Sequence, residues 1–386
     1  MGKILFYVAI FIVLHLLIVL NINSIQIKQA SLPLGENPRD YFPPVLYPLA
    51  GFDGAHYILI AKSGYGQFQQ AFFPLYPLLI NTLSKLFNFN VLLSGIIISW
   101  GALLLGLIFF KKVSEIVMGD NYKSIWAILF LLSFPSAFFY LTVYPESLFL
   151  FLSTATLYFI FKKNYLLASI FAFFTSLTKI QGVFLFIPFF FSLFEFKELA
   201  LSEILKQIKQ HYRKLFIALV PLYGLAAYSF YLFINYGDPF YYYHAQDAFG
   251  AERTSQGLIL LPQVLFRYAK ILLTADVNFQ YWIAVLELSI FTFVFTVLLF
   301  DLYKSIKKRI KNFNYLSLNL YSIAILILPT LTGTLSSMPR YALVSFGFFF
   351  ALAKIKNLFL KILIAAIFAI LHLTLFIYFL KGYFVS

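Results

Sequence analysis

The sequence predicts an all-α protein that crosses a membrane many times, and two features of its composition support this. Of its 386 residues, 62% are hydrophobic and only 11% are charged, whereas a soluble domain is about half apolar and about a quarter charged. The apolar residues also form long unbroken runs, unlike the alternating pattern of a membrane β-barrel. Soluble enzymes, disordered chains, fibrous repeats and barrels are therefore excluded.

A membrane-spanning helix needs about 20 apolar residues, with a range of about 17–25. About eleven transmembrane helices are expected, several of them short enough to be tilted, kinked or incomplete. They cover residues 4–20, 91–110, 125–141, 146–161, 165–178, 183–196, 215–235, 281–302, 317–335, 341–353 and 358–380. We expect residues 1–386 to form a single transmembrane domain.

The basic residues predict the orientation, because Lys and Arg collect in cytoplasmic loops. A cytoplasmic N-terminus places most of the 29 Lys and Arg residues inside, chiefly in loops 197–214 and 303–314. The net charge of +14 then indicates contact with anionic membrane lipids, and no nucleic acid is expected. The long outer loops are 21–90 and 236–280. Residues 72–87 would reverse the orientation if they spanned, so they are expected to form a re-entrant or interfacial element.

Several catalytic motifs are absent. The chain has no glycine-rich phosphate loop, no Asp-x-Asp pair, no His pair at zinc-ligand spacing, no Gly-x-Ser-x-Gly elbow and no cysteine. We therefore expect no metal and no required cofactor. His15 and His372 lie alone in their spans and are expected only to pack.

The first outer loop carries the most informative acid. Asp53 precedes a short helical pattern that Gly64 ends, so it is expected to cap that helix. A rigidly held carboxylate can also act as a general base that takes a proton from a sugar hydroxyl. Asp40 in the same loop is the alternative base.

A run of Phe72-Phe73-Pro74-Leu75-Tyr76-Pro77 follows. Its prolines break a helix, and broken backbone at membrane depth is tolerated where it lines a cavity. The order Asp-Gly-x-x-Tyr and Phe-Phe-Pro-Leu-Tyr-Pro resembles the PIG-V-type mannosyltransferases, a family of GT-C membrane glycosyltransferases. Further matches follow in family order along most of the chain: Tyr144-Pro145-Glu146-Ser147-Leu148-Phe149, Ser176-Leu177-Thr178-Lys179-Ile180-Gln181-Gly182, Gly237-Asp238-Pro239 and Arg340-Tyr341.

The resemblance implies a GT-C fold and an inverting transfer of a sugar, most simply mannose, from a polyprenyl-phosphate donor. It assigns the catalytic base to Asp53, and the lipid-phosphate-linked sugar is a co-substrate. The topology independently places every matched motif on the outer face. We expect the acceptor to be a lipid-linked glycan there.

Three further charges in the matched motifs have two possible roles. Glu146 begins a span and either satisfies the helix dipole or binds a sugar hydroxyl. Lys179 follows a segment too short to cross the membrane, so it either reaches up to water or binds the donor phosphate below the surface. Arg340 either anchors at the interface or grips that phosphate.

Other candidate substrate contacts are His56 and Tyr76 in the first outer loop, and Asp238, His244, Asp247 and Arg253 in the second. The aromatic side chains beside the second group suit carbohydrate, although they also suit a membrane-interface belt. Residues 258–274 are expected to form an amphipathic helix on the outer surface.

The alternative is a lipid or polysaccharide transporter, which predicts charges buried in mid-span and internally repeated halves. Glu287 is the nearest residue to a mid-span charge, and no repeat is found. A purely structural membrane subunit would not explain why matched polar motifs collect on one face. The sequence therefore favours a glycosyltransferase.

Overall fold

The computed structural model describes residues 2–22, 44–194, 196, 201–249, 257–307 and 312–385. These residues form helices and loops, with no β-strand among them. The first half of the fold contains α1 (Gly2–Ile22), α2 (Asp53–Ser63), α3 (Leu75–Phe87), α4 (Val91–Met118), α5 (Asn121–Ser133), α6 (Glu146–Phe161), α7 (Tyr165–Thr178), α8 (Phe186–Leu193) and α9 (Leu201–Gln210). The second half contains α10 (Arg213–Ala218), α11 (Val220–Tyr236), α12 (Tyr241–His244), α13 (Leu261–Thr274), α14 (Phe279–Lys307), α15 (Phe313–Thr330), α16 (Met338–Ala342), α17 (Phe346–Ala353) and α18 (Leu358–Leu380).

Within the described residues, five helices are long and apolar enough to cross a membrane: Ile4–Ile22, Val91–Met118, Phe279–Lys307, Phe313–Thr330 and Leu358–Leu380. Glu146–Phe161, Tyr165–Thr178 and Ile180–Leu193 are shorter apolar helical segments. The chain is thus an all-helical protein with the elements of a multi-pass membrane protein. The number of eleven spans stays a prediction.

Helix packing in the core depends on small residues. Helix α4 packs along α6, α6 along α7, and α7 along α11. A Cβ atom at Gly106 of α4 would meet Leu150 Cγ at 2.8 Å, and one at Gly224 of α11 would overlap the Phe173 carbonyl oxygen. Glycine at these two positions lets the helices approach closely, as is common between membrane helices.

His15 and His372 pack in the core as expected, and each is a packing partner of the other. The two imidazoles are buried between α1 and α18, and their Nε2 atoms lie 2.7 Å apart. His15 Nδ1 also lies 2.6 Å from the Phe11 carbonyl oxygen, and His372 Nδ1 lies 3.0 Å from that of Phe134. The pair therefore ties the first helix to the last.

Several loops between the longer helices contain short elements. The apolar run at 72–87 contains α3 (Leu75–Phe87), which Asn88 ends with a left-handed φ of 53°. The segment at 258–274 contains α13 (Leu261–Thr274), which exposes Phe266 and Leu273. Together with α2, α6 and α16, the short segments of these loops surround one cavity.

Candidate active site

A cavity of about 710 Å³ opens between the start of α2, the start of α6 and α16. Four of its lining residues carry formal charges at neutral pH: Asp53, Glu146, Lys179 and Arg340. The remainder of the wall is largely aromatic, apolar or amide in character. Its members include Phe52, His56, Tyr57, Phe72, Phe73, Gln181, Tyr242, Tyr243, Gln246, Phe249, Tyr341 and Phe384.

Asp53 is the first residue of α2, and the expectation that it caps this helix is wrong. The capping position belongs to Phe52, whose backbone has a φ of 55° and whose side chain makes no capping hydrogen bond. Asp53 instead accepts a hydrogen bond from Arg340 Nη1 at 2.6 Å. Gly64 ends α2 with a φ of 81°, as expected. The carboxylate therefore still benefits from the positive end of the helix while it pairs with a cation from a distant segment.

Arg340 lies in the short helix α16, and its side chain is 10% exposed. Its guanidinium carbon lies 5.5 Å from the ring centroids of both Phe139 and Tyr144, a distance at which cation–π attraction operates. Burial lowers the pKa of Arg340, but the charges of Asp53 and Glu146 more than offset this and leave the pKa above its ordinary value. Arg340 is therefore a fixed cation in the cavity wall.

Glu146 is the first residue of α6, directly after Pro145. The carboxylate is 1% exposed, and Oε1 accepts a hydrogen bond from Lys179 Nζ at 2.9 Å. Arg340 Nε lies 3.6 Å from the same oxygen. Among the described residues, Glu146 Oε2 has no hydrogen-bond partner. Glu146 thus lies between both cations and keeps one acceptor unused.

Lys179 follows α7 in extended conformation, with a φ of −156°. Its side chain is 12% exposed, and Nζ lies 5.6 Å from the Tyr341 ring centroid. The next turn is closely packed, because a Cβ atom at Gly182 would lie 2.6 Å from Ser176 N. Lys179 is thus held in the cavity wall.

These contacts join four residues into one continuous row of alternating charge: Asp53, Arg340, Glu146 and Lys179. We call this set the charge row. Its members come from α2, α16, α6 and the end of α7, so only the folded chain brings them together. Three of the four were predicted to act at one site, and the fourth, Glu146, was a candidate substrate contact.

His56 lines the cavity one turn after Asp53. Its ring stacks on Phe72 with centroids 4.9 Å apart, and its Nδ1 lies 3.3 Å from Gln69 Nε2. Burial lowers the pKa of His56, and the Asp53 charge opposes that shift only in part. The imidazole is therefore a neutral, aromatic part of the wall near neutral pH.

Tyr76 is fully buried and is not part of the cavity wall. Its hydroxyl lies 2.7 Å from Ser99 Oγ and 3.1 Å from the Gly95 carbonyl oxygen. These contacts join α3 to α4. In the structure Tyr76 therefore has a packing role.

Asp238, His244 and Asp247, in the loop that follows α11, lie apart from the cavity wall. Asp238 Oδ2 lies 2.7 Å from His244 Nδ1, and Asp238 Oδ1 accepts from the Phe240 N–H at 2.9 Å. Burial alone would raise the pKa of Asp238, but these hydrogen bonds lower it. Asp247 is exposed. Arg253 and Asp40 lie outside the described residues.

The same loop reaches the cavity through other side chains, namely Tyr242, Tyr243, Gln246 and Phe249. The aromatic run at 241–243 indicated this contact. Gln181 also lines the cavity and is 2% exposed. The only signal for it in the sequence is its position two residues after Lys179. Phe384 enters the wall from a segment that carries no motif at all.

Within the part of the chain that the structure describes, no three His, Asp or Glu side chains meet in a group that could hold a metal ion. The charge row contains two carboxylates, but each faces a cation.

No protein-family model and no curated protein matches the sequence. Among solved structures, the apo oligosaccharyltransferase of Archaeoglobus fulgidus is similar to this chain with a TM-score of 0.47 and 13% identity, over 99% of this chain and 56% of that one. The same enzyme, AglB, in complex with an inhibitory peptide and a dolichol-phosphate gives a TM-score of 0.48 and 14% identity, over 97% and 55%. This chain spans little more than half the length of these neighbours. Its function must therefore be inferred from its own side chains.

Proposed function

We propose that the chain is a membrane glycosyltransferase that uses a polyprenyl-phosphate sugar as donor. The observation that carries the proposal is the charge row in the wall of one cavity. Two buried cations, Arg340 and Lys179, suit a lipid phosphate, and an acid at the end of the row suits a reacting hydroxyl. The aromatic wall around His56 and Phe72 suits the faces of a sugar ring.

In this mechanism Asp53 takes the proton from the acceptor hydroxyl while that oxygen attacks the anomeric carbon. The bond from the anomeric carbon to the donor phosphate oxygen breaks, and the phosphate leaves with the electron pair. Arg340 and Lys179 stabilise the negative charge that grows on this leaving group. Attack from the face opposite the phosphate inverts the configuration.

The ion pair between Asp53 and Arg340 adds a step before the chemistry. Arg340 Nη1 donates to Asp53 at 2.6 Å, so the carboxylate is partly occupied. A donor phosphate competes for the same guanidinium, because the two free oxygens of a phosphodiester can accept two parallel N–H bonds from one arginine. Donor binding thereby weakens the ion pair between Arg340 and Asp53 and leaves the Asp53 carboxylate free to accept a proton.

Mannose as the sugar and a lipid-linked glycan on the outer face as the acceptor complete the proposal. The resemblance of the motifs around Asp53 and Tyr76 to PIG-V-type mannosyltransferases supports both. Membrane lipids surround the helices, and the catalytic residues supply the chemistry without a required cofactor.

The test is transfer by the purified protein in detergent. It is incubated in separate reactions with mannosyl, glucosyl or galactosyl polyprenyl phosphate, each with a lipid-linked glycan extract. The mass of the lipid products is then measured. We expect a hexose-extended lipid from the mannosyl donor, and its loss in Asp53→Asn. Glu115→Gln is the matched control, because Glu115 also accepts from a lysine at 2.9 Å but lies outside the cavity. Movement of intact lipid across vesicles without a covalent product would instead identify a transporter.

A further inference from the structure

The segment that leads into Arg340 is held by side chains that do not line the cavity. We call residues 331–337 the Arg340 loop, since it joins α15 to α16. Two of its residues have left-handed backbone, Gly333 with φ 91° and Ser337 with φ 65°. Serine seldom adopts this conformation, which persists only where the surrounding structure imposes it.

Glu287 of α14 supplies one of those constraints. It is 5% exposed and belongs to a helix long and apolar enough to span a membrane. Its Oε1 accepts a hydrogen bond from Ser337 N at 3.1 Å, and its Oε2 accepts from the Tyr268 hydroxyl at 2.6 Å. A buried carboxylate in such a helix is costly, and residues of this kind usually serve a function.

Tyr268 of α13 is the second constraint. Its hydroxyl accepts from Leu335 N at 3.1 Å and lies 3.3 Å from Thr334 Oγ1. On the same helix, Arg267 Nη1 donates to the Gly333 carbonyl oxygen at 3.0 Å. Helices α13 and α14 therefore contact the Arg340 loop at four residues, Gly333, Thr334, Leu335 and Ser337.

The geometry of the loop is transmitted directly to the cavity. Ser337 precedes α16, and its carbonyl oxygen accepts from Arg340 N at 2.9 Å. A change in the Ser337 backbone would therefore rotate α16 and move the Arg340 guanidinium away from Asp53 and Glu146. Neither Glu287 nor Tyr268 lines the cavity, so neither can touch a substrate bound there.

We propose that Glu287 and Tyr268 are positioning residues for Arg340. They impose the left-handed turn at Ser337 and so fix the guanidinium in the charge row. The kinetic consequence rests on the proposed function, whereas the structural consequence does not. This assignment also gives the mid-span carboxylate a role other than transport.

The experiment compares Tyr268→Phe and Glu287→Leu with Glu287→Gln and with Tyr303→Phe, a substitution at an exposed tyrosine of α14. Hydrogen exchange of amides 331–341 is measured first. We expect faster exchange in Tyr268→Phe and Glu287→Leu. Glu287→Gln should exchange slowly because it keeps an oxygen for the Ser337 N–H, and Tyr303→Phe should match the wild type. Unchanged exchange in both disruptive variants overturns the proposal.

Donor kinetics provide the second measurement. Tyr268→Phe should lower kcat/KM for the polyprenyl-phosphate sugar about tenfold, mainly through KM. The same substitution should cost nothing further when Arg340 is already alanine. An equal loss in that background would mean that Tyr268 acts on another residue, which overturns the proposal. If the wild type transfers no sugar, the proposed function fails, and hydrogen exchange alone decides the positioning role.

Discussion

Arg340 and Asp53 form an ion pair with 2.6 Å between Nη1 and Oδ2, although 287 positions separate them in the sequence. The pair closes one end of the charge row, and it joins the residue proposed to bind the donor phosphate to the residue proposed to act as base. Substitution of Asp53 can separate its hydrogen bond to Arg340 from its proposed role as base, because a carboxamide still accepts a hydrogen bond but takes up no proton.

Asp53→Asn should leave the protein folded and lower sugar transfer by roughly 10²- to 10⁴-fold, the usual loss when a general base is removed. The amide oxygen can still accept from Arg340, but the pair loses its negative charge, so a modest loss of thermal stability in detergent is expected. Transfer to a lipid acceptor and thermal unfolding are measured on the same preparation. Asp40→Asn is the control in the same outer loop, and a loss of transfer there with normal Asp53→Asn turnover would move the base to Asp40.

Arg340→Ala should weaken donor use by about 1.5–3 kcal/mol, the range for a lost hydrogen bond to a charged group. Arg340→Lys should recover only part of that loss, because an ammonium cannot donate two parallel hydrogen bonds to one phosphate. The donor concentration dependence is the measurement, with the exposed Arg213→Ala as control. Unchanged donor dependence in a folded Arg340→Ala protein would leave Arg340 only an anchoring role.

Lys179→Met should destabilise the protein, because Glu146 then loses one of its two cations while it stays buried. Breaking a buried ion pair costs about 3–5 kcal/mol, and the remaining Arg340 contact at 3.6 Å should keep the loss near the lower limit. Thermal unfolding is compared with Lys111→Met. That lysine also lies 2.9 Å from a glutamate, but its pair is 27% and 38% exposed and is expected to contribute less than about 1 kcal/mol. Equal effects at the two sites would contradict the buried pair.

The orientation can be tested by labelling, since the chain contains no cysteine. Ser63→Cys lies at the exposed end of α2 and should react with a membrane-impermeant thiol reagent added outside. Ser305→Cys, near the basic end of α14, should react only after the membrane is permeabilised. The opposite pattern would place the cavity on the cytoplasmic face.

Local sequence patterns predicted both boundaries of three helices. The spans at 146–161, 165–178 and 358–380 coincide with helices α6, α7 and α18, because Pro145, Asn164 and Asn357 mark where each helix can start. The capping role of Asp53 failed because Phe52 adopts a left-handed φ, a conformation that no rule for phenylalanine anticipates.

The pairings within the site could not be predicted in the same way. Composition and motif order placed Asp53, Glu146, Lys179 and Arg340 on one face, but which carboxylate meets which cation depends on how α16 packs against α2 and α6. The contact between His15 and His372 could not be predicted for a related reason, since 357 positions separate them in the sequence. The hydrogen bonds of Glu287 to the Arg340 loop likewise require the folded chain.

The charge row has equal numbers of acids and cations, and this balance affects how a donor arrives. Two carboxylates offset two cations, and the nearby His56 is neutral. The charge row therefore produces only a weak net electric field outside the cavity opening. Attraction of a phosphate over distances near the Debye length, about 8 Å at physiological ionic strength, is therefore weak. The apolar tail of the proposed polyprenyl donor would concentrate it in the bilayer, so the proposed function implies capture by lateral diffusion. Ionic strength should consequently have little effect on the donor KM of this protein.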